Sequence, residues 1–304
     1  MVDSIADEVP PGPVAVAAYI QVFRLTTPPP AEGTEHFVRI GNTKVTFLRE
    51  LTFSRAEPVI LTEPGVAGLT MGVKTYEFPP AHYAVLEYEF VSFPDQDGRT
   101  TAKIRLSHVH TYLELLLPAV QAELKFEGLV TAPGVASTDF DGPKSLRAAP
   151  AIPVERLGEE AMRAIDLVDA APDARRGKVA LACRWFQRGM QADNPTDKVV
   201  YFCIALEVLL GQGDIVRKLR DHLAQAIPST APQDISTRLQ LGQIYGLRSD
   251  VVHNGLVFLT AAETFAKTRL LHKAEAVTRA ALLIEAGLPL GDVLARWLQE
   301  DAAP

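Results

Sequence analysis

The chain has 304 residues, 47 % of them hydrophobic and 22 % charged, with a formal net charge of −7. That length allows two domains of ordinary size, and the acidity excludes a protein that coats nucleic acid by bulk electrostatics. Two cysteines, Cys183 and Cys203, are too few for a disulfide framework, and both fall in apolar helical patterns as small buried hydrophobes. With no basic leader region and no run near the roughly 20 apolar residues of a membrane span, a reduced, cytoplasmic protein is expected.

Residues 1–150 alternate short strand-like runs with Pro, Gly and Thr loops and predict a small α+β domain, regulatory or partner-sensing in role. PVAVAAYIQVFRL (13–25) is continuous and apolar, as for a buried strand. EHFVRIGNTKVTFLREL predicts a hairpin turning on Gly41-Asn42. Residues 81–93 predict another strand, and DQDGRT the turn that follows. HTYLELLLPAVQAELKF predicts a helix ended or interrupted at Pro118. Residues 126–154, rich in Gly, Ala, Pro and Asp, predict a loop or linker. In SHVHTY, His108 and His110 would share one face of a strand as a metal pair. Nothing in nearby sequence completes a ligand set, so a surface or cap role is the stronger reading.

From 155 to 304 the periodicity is helical almost without break, and five or six helices joined by short loops predict an all-α antiparallel helical bundle. DARRGKVALACRWFQRGMQ begins at an Asp suited to N-capping. NPTDKVVYFCIALEVLLGQG has helix-start chemistry at Asn194-Pro-Thr-Asp, an apolar face at 200, 203, 204 and 208, and a stop at Gly211. DIVRKLRDHLAQAI is amphipathic, DISTRLQLGQIYGLRSDVVHNG predicts one helix ended by Asn-Gly, and TAAETFAKTRLLHKAEAVTRAALLIEAG a long helix with a capping-box-like start. GDVLARWLQE predicts one last short helix.

Charge is uneven: residues 1–150 carry 12 Lys/Arg against 18 Asp/Glu, the remainder 18 against 19. Arg175, Arg176, Lys178, Arg184 and Arg188 fall within ARRGKVALACRWFQR with no acid among them. A solvated helix face is the ordinary reading, and a phosphate-binding face for RNA the functional one. GQGD at 211–214 lacks the Lys-Ser/Thr of a phosphate loop and predicts an interhelical turn. Glu207, a carboxylate in the apolar CIALEVLL, needs a partner, and Arg248 or a basic residue of the ARRGKVALACRWFQR helix is expected to be it.

YGLRSDVVHNG places Arg248 and His253 five residues apart at a helix end. A histidine in a last turn answers the helix dipole and caps free carbonyls, which is a sufficient structural reason for it. RNA cleavage by internal attack supplies a functional one. It needs a base for the 2′-hydroxyl, an acid for the leaving 5′-oxygen, and positive charge on the phosphorane. An imidazole titrating near neutrality serves as base or acid. A guanidinium forks onto phosphate oxygens.

Residues 174–285 resemble the HEPN superfamily of helical-bundle domains, in particular its Apea-like branch. The likeness rests on four pieces in order: CRWFQRGM, then DKVVYFCIALEVLL, then a basic amphipathic helix, then the Arg-x4-His of YGLRSDVVHNG. It covers a little over a third of the chain. The resemblance implies an endoribonuclease that needs no metal or cofactor, and a homodimer whose Arg-His pairs face each other. Arg248 takes the place of the motif arginine and His253 that of the histidine, with Ser249, Asp250, Glu207 and Asn254 in support. Asn254 stands before Gly255, where this branch often has Gly directly after the histidine. A role as a defence or stress effector is implied only by the family. The alternative, which the acidic net charge and the extra Asn254 favour, is a non-catalytic module binding RNA, a nucleotide or a partner protein.

Overall fold

A computed structural model describes residues 17–32, 35–63, 66–92, 94–117, 122–131, 134–135, 152–211, 213–254 and 261–300. An antiparallel-sheet region is followed by a helical one, and the chain divides into two compact units, Met1–Asp166 and Leu167–Pro304.

In the first unit, β1 (Ala17–Leu25), β2 (His36–Ile40), β3 (Thr43–Leu48), β4 (Leu51–Glu63), β5 (Val66–Phe78), β6 (His82–Phe90), β7 (Ala122–Thr131) and β8 (Gly134–Val135) form one sheet, in the order β2-β3-β6-β1-β7-β8-β4-β5. The β4–β8 contact is parallel and the other pairings are antiparallel. The β2–β3 hairpin turns on Gly41-Asn42 as expected, with Gly41 at φ +55°, where a glycine carries no Cβ penalty. Lys44 pairs with Glu87 directly opposite it on β6, at 3.0 Å, and Arg39 reaches Glu89 of the same strand from β2.

DQDGRT is not a turn. The Asp95 side chain accepts from the Gly98 N–H and caps α1 (Gln96–Leu116), which begins well before the HTYLELLL run. Pro118 lies outside the described residues. The AELKF stretch, expected to be helical, is the start of β7, which continues to Thr131 and so also takes the first residues of the expected linker. Most of that linker, 136–151, lies outside the described residues. His108 and His110 lie inside α1, so they point roughly 160° apart and form no strand-face pair. Helix α1 is tied to the sheet by Arg105 Nε donating to Thr43 Oγ1 (2.7 Å) and by Gln21 Nε2 donating to Ser107 Oγ (3.2 Å).

The helical region comprises α2 (Val154–Ala170), α3 (Asp173–Gln191), α4 (Pro195–Leu210), α5 (Ile215–Ala226), α6 (Pro232–Leu239), α7 (Leu241–Asn254), α8 (Ala261–Ala286) and α9 (Ala295–Glu300). Among the described residues the helices are thus more numerous than the five or six expected. The boundary between the units falls within α2. Pro172, not Asp173, occupies the N-cap of α3, and Asp173 sits in the first turn. Asn194 caps α4 as expected, accepting from the Thr196 N–H at 2.9 Å, and Gly211 ends it at φ +74°. The buried face of α4 is Val199, Phe202, Cys203, Ala205, Leu206 and Leu209, not the expected 200, 203, 204 and 208. Of the expected set only Cys203 is buried.

Helices α3 and α4 approach closely at Gly189. A Cβ there would lie 2.5 Å from the Phe202 ring, so the glycine makes room for Phe202. Helix α8 packs against α3, α4, α5 and α7. Lys273 on α8, only 1 % exposed, donates from Nζ to the Arg238 carbonyl at 2.7 Å, which satisfies its buried ammonium at the last turn of α6.

The expected single helix over DISTRLQLGQIYGLRSDVVHNG is two helices. Gln240 adopts φ 56°, ψ 40°, and its N–H bonds the Ser236 and Thr237 carbonyls to close α6. Its own carbonyl accepts from the Gln243 and Ile244 N–H groups, opening α7. The capping-box start of α8 and the Gly255 terminator lie outside the described residues.

Candidate functional site

Arg248 and Tyr245 stand one turn apart on α7, and Cys203 and Glu207 one turn apart on α4. Helices α4 and α7 pack together, and these four side chains meet between them. Arg248 Nη2 lies 3.3 Å from Glu207 Oε1, with side-chain exposures of 29 % and 34 %. Of the two kinds of partner expected for Glu207, Arg248 is thus the one it has. Cys203 is fully buried. Burial pushes its thiol up to about 12, helped by Glu207 and opposed by Arg248, so it is a neutral thiol and no nucleophile. Burial likewise raises the Tyr245 phenol, with Cys203 and Glu207 adding to the rise and Arg248 opposing it.

Helix α7 stays regular through Asn254, so Arg248 and His253 are roughly 140° apart around its axis. Arg248 turns toward α4, whereas His253 is exposed in the last turn, beside the 47 %-exposed Val252. Ser249 and Asp250 are exposed on the outer side of α7. Asn254 ends the helix, and its side chain is outside those described. Arg248 and Glu207 are therefore brought together, and His253 stands apart from them on the same helix. Sequence reasoning assigned Cys203 to the core and passed over Tyr245. A signal was available: Tyr245 precedes Arg248 by three residues and Cys203 precedes Glu207 by four, spacings that put side chains on one helix face.

The basic run on α3 divides in two. Arg175 Nε donates to the Glu285 carbonyl, and Lys178 pairs with the Glu285 carboxylate at 3.7 Å, so both serve the last turn of α8. Arg176 donates to the Val168 carbonyl at 2.6 Å and pairs with Asp173. Arg184 and Arg188 are exposed, and Arg188 stacks over Trp185 at 4.6 Å. Trp185 in turn stacks on Tyr201 of α4, centroids 5.8 Å apart. Arg175 is exposed as well but engaged at Glu285, which leaves Arg184 and Arg188 as the exposed arginines of the run that do not serve the end of α8.

A second titratable pair lies in the first unit. His110 Nε2 and Glu114 Oε1 are 3.5 Å apart, one turn apart on α1, each side chain 17 % exposed. The His110 ring lies flat on Phe23 at 3.8 Å. Both residues line a cavity of about 10 Å³ with Leu25, Leu86 and Leu113, room for about one water. Burial lowers His110 to about 3 and raises Glu114 to about 8, so both are neutral at pH 7.

Among the described residues no group of three or more His, Cys, Asp or Glu side chains is placed to hold a metal ion. No single described helix is long and apolar enough to cross a membrane. Compared with known proteins, the chain matches no family profile, no curated protein and no solved structure.

Proposed function

We propose that the second unit is a HEPN-like antiparallel bundle that works as a homodimeric, metal-independent endoribonuclease. The observation that carries the reading is the setting of Arg248: a half-buried guanidinium, held toward α4 by one carboxylate, on the helix that presents an exposed His253 in its last turn. The resemblance of YGLRSDVVHNG to HEPN ribonuclease motifs supports it.

In this reading His253 of one copy removes the proton from the RNA 2′-hydroxyl as the oxygen attacks phosphorus. His253 of the second copy gives a proton to the departing 5′-oxygen. The P–O5′ bond breaks, leaving a 2′,3′-cyclic phosphate and a free 5′-hydroxyl. Arg248 meets the charge that builds on the non-bridging oxygens. In such a dimer each Arg248 meets the other copy's imidazole as well as its own, so the roughly 140° separation within one helix does not by itself set the geometry of the site. Ser249 and Asp250 would face that copy, and Arg184 and Arg188 would guide the RNA backbone.

The test is incubation of the full chain with a labelled mixed RNA in EDTA, beside Arg248→Ala and His253→Ala. Cleavage by the parent, with cyclic-phosphate ends, and none by either folded variant is the expected result. Cleavage undiminished in both variants overturns the reading. RNA binding without cleavage, lost in Arg248→Ala alone, favours the non-catalytic module.

A further inference from the structure

Three donors lie at the Arg248 site, and a carboxylate oxygen meets one of them. Glu207 Oε1 meets Arg248 Nη2 at 3.3 Å. Arg248 Nε and the Tyr245 hydroxyl are shut off from solvent, and neither has a hydrogen-bond partner among the described residues. A buried donor left unmet forfeits its hydration with nothing in return. Two of them on neighbouring turns of one helix point to an acceptor that the described residues do not supply. Glu207 is close enough to both α7 residues to pair with one and to raise the phenol of the other. Yet it is a third exposed and holds Arg248 through one oxygen, a loose grip compared with the two-pronged pairing a guanidinium forms at its strongest.

A tetrahedral phosphate answers this arrangement better than a carboxylate. It offers several oxygens, enough to accept from Nε, Nη2 and the phenol together. We propose that Tyr245 is a phosphate-binding residue of this site, and that Glu207 is a place-holder which the RNA phosphate displaces from Arg248. This rests on the reading of Arg248 as the phosphate binder and adds the identity of its co-donor and its competitor. Displacement swings the Glu207 side chain toward solvent and opens Nε and the Tyr245 hydroxyl to the incoming anion.

The experiment measures binding of a mixed-sequence 2′-fluoro oligonucleotide, which lacks the attacking hydroxyl, by fluorescence anisotropy with the full chain. Melting curves confirm that each variant is folded. Tyr245→Phe keeps the ring and removes only the hydroxyl. It is expected to weaken binding about tenfold or more, the effect of one hydrogen bond to a charged group. Glu207→Gln removes the competing charge and is expected to tighten binding about two- to fivefold. The two variants thus move in opposite directions, which loss of packing alone would not produce. Unchanged binding in Tyr245→Phe, or weaker binding in Glu207→Gln, overturns this proposal, while a loss in Arg248→Ala leaves the ribonuclease reading standing. No binding by the parent, or binding that Arg248→Ala leaves untouched, removes the phosphate site itself and both readings with it.

Discussion

Each unit carries a base and a carboxylate in contact, and the two pairs reach opposite charge states. On α1, His110 and Glu114 sit in an apolar pocket where neither charge is solvated and an imidazole is too weak a base to hold the proton against burial. That pair is neutral. Between α4 and α7, a guanidinium keeps its proton under any ordinary condition, and Arg248 and Glu207 each retain about twice the exposure of the α1 pair. That pair is ionic. The same separation of about 3.3–3.5 Å therefore gives a packing device in one unit and a charged contact open to exchange in the other. Partner basicity and access to water decide which.

The largest effects should come from the ionic pair. Arg248→Ala is expected to lower the cleavage rate about 10²–10³-fold, the range seen when a single preorganised donor is removed from a transition state. Single-turnover rates in saturating RNA check it. If each site draws on both copies, an equal mixture of parent and His253→Ala should keep about a quarter of the parent rate once subunits exchange, rather than about half. A linear dilution curve would place both proton transfers within one copy.

The neutral pair should show itself in stability against pH. Glu114 has a raised folded pKa, about 8 against 4.5 unfolded, so its contribution falls as pH rises between those values. His110 has a lowered folded pKa, about 3 against 6.5, so its contribution falls as pH drops between those values. Between pH 4.5 and 6.5 the two slopes cancel. On either side one is left, and by pH 8 the pair should have lost roughly 2 kcal/mol from its plateau value, at about 1.4 kcal/mol per pH unit. Denaturant titrations from about pH 4 to about pH 9 would trace the plateau, and Glu114→Gln should flatten its alkaline limb. An alkaline limb that survives in Glu114→Gln would assign the titration elsewhere.

Smaller effects sharpen the contrast. Glu207→Gln should change stability by under about 1 kcal/mol, because a part-exposed ion pair contributes little. Gln240→Gly should stabilise by up to about 1 kcal/mol, since a left-handed conformation strains a residue with a Cβ. Both are read from denaturation midpoints. A large loss in Glu207→Gln would make the second pair a structural strut like the first.

The hairpin at Gly41-Asn42 and the start of α4 were legible because each carries its own local chemistry: a turn pair, or an Asn cap. The β4–β5 hairpin was not, because Arg55, Glu57 and Pro58 in one strand and Gly68 and Gly72 in the other break the alternation that marks a strand. On α4 the apolar residues run almost all round the helix, so no periodicity tells the core face from the outer one. The Glu207–Arg248 contact could be proposed from chemistry alone, since a carboxylate in an apolar helix demands a cation. The place of His253 could not, because it depends on how regular α7 remains to its end.

That regularity begins at one residue. Gln240 is both the last stop of α6 and the first carbonyl of α7, so it acts as a datum from which positions along α7 are counted. Tyr245 and Arg248 lie five and eight residues past it. Inserting a single residue between Gln240 and Tyr245 would swing both by about 100°, away from Cys203 and Glu207, while length changes before Pro232 leave the count untouched. Drift in loop length is tolerable upstream of this point. Between Gln240 and Arg248 the spacing is fixed by geometry, whatever residues fill it.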